Sequence, residues 1–151
     1  MNGDVRTDAA TLGDRWRLLG LSGLVPFVAL AIAVRTMDAA SAVIARDLLL
    51  GYGALILSFI GGSWWARALD PAADRGARLA VLAMLPTLGA WAALMVAGAG
   101  GLLLLAAGLV AALAVDARGV VAAADPRAYL RLRSWLTVVA VAALLAAVPG
   151  A

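Results

Sequence analysis

The chain has 151 residues, 65% of them apolar and only 14% charged, with a formal net charge of +3 at pH 7 and a mean hydropathy of +1.00. Soluble domains carry about 45–50% apolar and about 25% charged residues, so the solvent for most of this surface has to be lipid. The absence of Cys and His excludes disulfides and iron–sulfur ligation and removes the commonest ligand of haem, zinc and copper. No cofactor and no metal is therefore expected.

The charge comes from twelve Arg and nine Asp, with no Lys and no Glu. Together with the dominance of Ala, Gly, Leu and Val, this usage reads as GC-rich bacterial coding. The arginines flank apolar spans and form no single basic face, which argues against a nucleic-acid partner.

A bilayer core about 30 Å thick needs about 20 apolar residues in a helix. After an N-terminal tail over 1–17, the first span is predicted over 18–34, between Arg17 and Arg35. Its long n-region carries Asp4, Asp8 and Asp14, unlike the short basic leader of a cleaved signal peptide. The second span is predicted over 48–66, the third over 79–97 and the fourth over 100–115, ending at Asp116. The chain is apolar from Leu79 to Val115, roughly twice the ~20 residues of one crossing, so GAGG at 98–101 is read as a tight hairpin. Asp125 and Pro126 suit a helix start, as N-cap and first-turn residue, and the fifth span is predicted over 134–151. The expected fold is all-α, a polytopic five-helix transmembrane bundle.

Orientation follows from the positive-inside rule. Arg6, Arg15 and Arg17 share a side with Arg67, Arg75 and Arg78, and with Arg118, Arg127, Arg131 and Arg133; the other side has Arg35 and Arg46 alone. Trp16, Trp64, Trp65, Tyr129 and Trp135 fall at the arginine-rich interface, where amphipathic rings settle. The N-terminus is thus expected in the cytoplasm and the C-terminus outside, in a bacterial inner membrane.

Intramembrane ionisable residues are the usual mark of transport or proton relay, and none is expected at mid-membrane depth. In the second span Ala54, Ser58 and Gly62 recur at i, i+4 and i+8, thinned further by Gly61. Such small ridges let helices approach closely, either within the bundle or against a partner's helix. Pro26 and Pro86 interrupt the first and third spans, and with Tyr52 and Trp91 they are the candidates for shaping a pocket. Arg127, Arg131 and Arg133 with Trp135 form a basic-aromatic collar suited to anionic lipid headgroups, at about 1 kcal/mol per charge.

The order GLVPF in the first span, YGALILSFIGG with a following Trp in the second, LPTLGAW in the third and RLRSWLT opening the fifth resembles the transmembrane protein 69-like family. Its bacterial members are described as domain of unknown function 3429. The resemblance covers nearly the whole chain from about Leu18, and the second-span motif is its specific part. It implies a small inner-membrane protein with a mitochondrial-membrane relative and no established activity. It also implies that the position of Trp64 often carries His or Arg, a departure in this chain. The expected function is non-enzymatic: an accessory or assembly subunit packing against a larger membrane complex. The alternative is a binder or carrier of a small apolar or flat ligand, or of a lipid, within the bundle.

Overall fold

The computed structural model describes residues 18, 20–69, 76–119 and 125–148. Among them five helices follow one another: α1 (Val25–Thr36), α2 (Ala39–Ala68), α3 (Gly76–Val96), α4 (Gly98–Asp116) and α5 (Pro126–Ala146). No strand occurs among the described residues. Four helices, α2 to α5, are long and apolar enough to cross a membrane, while the first apolar stretch, Gly20–Thr36, is shorter. The tail over 1–17 lies outside the described residues.

The boundaries move where local chemistry overrides hydropathy. The helix of the second span starts at Ala39, not near 48, because Asp38 caps it: its Oδ1 accepts from the amides of Ala40 and Ser41 at 3.1 Å each. Hydrogen bonding from Ser41 holds the Asp38 carboxyl below its ordinary value. The result is a 30-residue helix, about 45 Å long at ~1.5 Å per residue. Arg46, placed in a loop by hydropathy, is instead part of α2, and its Nε donates to the Ala147 carbonyl at 3.1 Å, satisfying an orphan acceptor at the end of α5. Asp125 caps α5 as its sequence suggests, accepting from the amides of Arg127 and Ala128 at 3.0 Å. That cap starts α5 eight residues ahead of the hydropathic span.

Pro26 stands in the first turn of α1, after a turn at 23–24, where its missing N–H removes no helical bond. Pro86 does lie inside α3 and is buried. The α3–α4 hairpin turns on Ala97 and Gly98, both in left-handed backbone at φ +55° and +51°. GAGG therefore opens α4, and its last glycine serves close approach. A Cβ on Gly101 would sit 2.5 Å from the Ala93 carbonyl oxygen, so only glycine lets the two helices part at that distance.

Helix α2 packs against all four others, and α1, α5, α4 and α3 wrap it in that spatial order. Its inward face carries Leu49, Gly53, Leu57, Ile60 and Trp64, which meet Leu102, Leu105, Leu109 and Leu144 in the core. The opposite face, with Leu55, Phe59 and Gly62, is exposed, as expected of a surface turned to hydrocarbon.

A buried polar cluster beside an apolar cavity

The last turn of α2, the last residue of α4 and the second turn of α5 meet at one end of the bundle. Each supplies a polar group. Asp116 ends α4 and is 3% exposed. Its Oδ1 accepts from the Trp64 indole Nε1 at 2.7 Å, and its Oδ2 accepts from the Arg133 Nε at 2.9 Å in a buried ion pair. Arg133 Nη1 donates to Thr137 Oγ1 at 3.4 Å. Tyr129, one turn earlier on α5, interacts with both Asp116 and Arg133.

A carboxylate at a helix C-terminus opposes the helix dipole, and one withdrawn from water needs compensation. Arg133 supplies the charge and Trp64 the remaining donor. One atom stays unmatched. Among the described residues, Arg133 Nη2 is the buried side-chain nitrogen with no hydrogen-bond partner.

Arg133, Tyr129 and Thr137 also line a cavity of about 390 Å³ between α1, α2 and α5. The rest of its wall is largely apolar: Leu24 just ahead of α1 and Phe27 within it, Ile56, Phe59 and Ile60 from α2, Leu136 and Ala140 from α5. Small-molecule sites span about 300–1,000 Å³ and combine apolar walls with a few convergent polar groups, which is this arrangement. Both Asp116 oxygens are engaged, one by Trp64 and the other by Arg133. Among the described residues no group of three or more Asp could hold a metal ion.

The residues singled out by sequence divide between several places. Tyr52 donates its hydroxyl to the Gly23 carbonyl at 2.8 Å and meets Phe27 edge-on at 5.1 Å, bracing α1 on α2. Pro86 packs toward Gly61, Trp91 is 62% exposed and Pro26 begins α1. None of the four is among the residues that line the cavity between α1, α2 and α5.

On α2 the small ridge separates along its length. Ala54 is buried, Ser58 is half-buried and Gly62 is exposed, with nothing within 4 Å of where its Cβ would stand. Residues four apart advance about 40° around a helix, so the ridge rotates out of the contact. Gly61, seven residues from Ala54, stays in it: its Cβ would come 2.6 Å from the Ala83 carbonyl oxygen.

The same geometry splits the collar. Arg127, Arg131 and Trp135, four apart, line one open groove on α5, whereas Arg133 turns inward to Asp116. Trp64, read as an interfacial ring, is 2% exposed. The missed signal was its N–H: a buried indole needs an acceptor, and Asp116, ending the longest apolar run, was at hand. A His or Arg at position 64 would offer the same kind of donor.

A family model described as a protein of unknown function (DUF3429) matches residues 14–149. No curated protein and no solved structure matches the chain.

Proposed function

The chain belongs to the DUF3429 family, and from that premise we propose that it is a membrane-embedded binder of a lipid-like amphiphile. The observation that carries this reading is the cavity of about 390 Å³ between α1, α2 and α5, apolar along its walls and polar where Tyr129, Arg133 and Thr137 converge. Binding rather than turnover suits a site whose carboxylate already spends both oxygens on Trp64 and Arg133. The proposal sets the protein in a bacterial inner membrane as five crossings, α1 with its preceding turn being the shortest, and with the N-terminus cytoplasmic. The arginine-bearing ends of α2, α4 and α5 support that orientation. Its likeness to the transmembrane protein 69-like proteins rests on the four sequence motifs. On the outer face of α5, Arg127, Arg131 and Trp135 would engage anionic headgroups.

The test is native mass spectrometry of gently extracted protein beside an Ile56→Trp variant, which fills the cavity from a half-buried wall position. The expected result is a defined lipid on the parent and none on a folded variant. Equal retention by the two would refute the reading.

A second reading, an accessory subunit docked on a larger membrane complex, draws support from α2. Gly51 and Gly62, on one face of this helix, have nothing within 4 Å of their would-be Cβ positions, so a partner's helix could approach the backbone there.

A further inference from the structure

We infer that the groove on α5 lined by Arg127, Arg131, Ser134 and Trp135 receives a lipid whose head is a terminal phosphate monoester. The inference rests on the reading of this face as a headgroup surface and names the head; it does not depend on the cavity.

The groove is lined by α5 alone, and its two cations are unpaired. Among the described residues the side chains of Arg127 and Arg131 make no ion pair or hydrogen bond, and both are exposed. The charged groups beside them are engaged elsewhere. Asp125 caps the helix through the amides of Arg127 and Ala128, and Arg133 turns inward to Asp116. With those amides taken, the attraction for an anion belongs to the side chains and not to the helix end.

The spacing joins the two charges into one site. Residues four apart are neighbours on a helix face, and long side chains lean toward the helix N-terminus. Arg131 therefore reaches back over the turn of Arg127, which brings the two guanidinium groups toward one level. Trp135 follows about 12 Å along the axis from Arg127, at ~1.5 Å per residue. Its ring is 69% exposed, and the same face continues as exposed Val138 and Leu145. Cations, then indole, then hydrocarbon is the order of a lipid from phosphate to chain, so the occupant is a lipid and not a free phosphate.

Charge selects the head. A zwitterionic head brings an ammonium group toward two guanidiniums. A phosphodiester brings one negative charge and leaves the second Arg without a counter-ion. A phosphate monoester carries about −1.5 to −2 at neutral pH, with its second ionisation at about pH 6, and its oxygens suit two guanidinium forks.

The test uses the lipid's own ionisation. The chain has no His, and Arg and ordinary Asp side chains stay charged between about pH 5 and about pH 8. Over that window the lipid head, not the groove, changes its charge. Dioleoyl phosphatidate, phosphatidylglycerol and phosphatidylcholine are titrated onto the full chain in one neutral detergent and read by native mass spectrometry. At about pH 8 phosphatidate is expected to bind about fivefold more tightly than phosphatidylglycerol, the value of one further charge contact at a membrane surface. At about pH 5, where both heads carry one charge, the two should bind alike. Arg131→Gln should abolish the fivefold difference, whereas Arg118→Gln, which removes an exposed charge just past α4, should keep it. If the two anionic lipids bind alike at both pH values yet tighter than phosphatidylcholine, the headgroup surface stands and the monoester inference falls. If phosphatidylcholine binds as tightly as either, the headgroup reading falls with it. Equal loss in Arg118→Gln and Arg131→Gln also overturns the inference, because the preference then belongs to diffuse charge and not to the groove.

Discussion

The buried pair of Asp116 and Arg133 should behave as one unit, and its removal in parts should cost more than its removal together. Arg133→Leu leaves the Asp116 carboxylate at a helix C-terminus without its counter-charge, held by neutral donors such as Trp64. Asp116→Asn keeps an acceptor for Trp64 but leaves the guanidinium uncompensated beside the cavity. Breaking a buried pair from one side costs about 3–5 kcal/mol, whereas replacing both partners by neutral groups is often close to neutral. For a chain of this size 1 kcal/mol moves the melting temperature by about 2–4 °C, so each single variant should melt on the order of 10 °C below the parent. The double variant Asp116→Asn/Arg133→Leu should return to within a few degrees of it. Thermal unfolding in one detergent, followed by tryptophan fluorescence and near-ultraviolet circular dichroism, gives all four corners of the cycle. Snorkelling of Arg133 toward the headgroups would lower the Asp116→Asn loss but would not produce recovery in the double variant. Additive losses would refute the reasoning, because two independently solvated charges add and a buried pair does not.

Two further outcomes follow from the helix contacts and the arginine pattern. Gly61→Ala, whose Cβ would come 2.6 Å from the Ala83 oxygen, should destabilise the isolated protein by about 1–3 kcal/mol in the same melt. Gly62→Leu, entering open space, should leave the melt unchanged; in a pull-down from native membranes it should release any subunit docked on α2, and intact capture would remove that reading. A reporter active only in the cytoplasm should work at the N-terminus and fail at the C-terminus, and activity at both ends would mean an even number of crossings.

The long elements were legible because lipid imposes a length and a composition on any helix that crosses it. Their ends were legible only where a cap could be recognised. Asp125 before Pro126 was read as a cap, and Asp38 was not, since the charged Arg46 and Asp47 just ahead of Leu48 looked like the border at which the second span begins. In the structure Arg46 remains helical because the Ala147 carbonyl takes its Nε, a contact across 101 residues of sequence that no local window contains. Side-chain direction was the less legible layer. A ridge of i, i+4, i+8 spacing looks continuous in one dimension, yet its drift carries Ala54 inward and Gly62 outward. Reading Arg127, Arg131 and Arg133 as one collar ignored the two-residue step from 131 to 133, which crosses about 200° of the helix.

The polar cluster explains how a cavity can persist in such a bundle. In lipid no hydrophobic force drives helices together, so their association depends on close packing and on hydrogen bonds between them. On the α3 side of α2, packing suffices: Gly61 admits the backbone of α3 at Ala83, and the two helices are intimately joined. On the α5 side α2 makes few direct contacts, and α1 rather than α2 is the larger neighbour of α5. Phe27, Ile60 and Ala140 leave space there, and apolar surfaces alone would not fix its width. Trp64 on α2 and Arg133 on α5 both close on Asp116 of α4, fastening three helices at one end while their separation beyond it stays open. Arg133, which resists collapse, also lines the gap together with Tyr129 and Thr137, so the stability of the cluster and the occupancy of the cavity should be coupled.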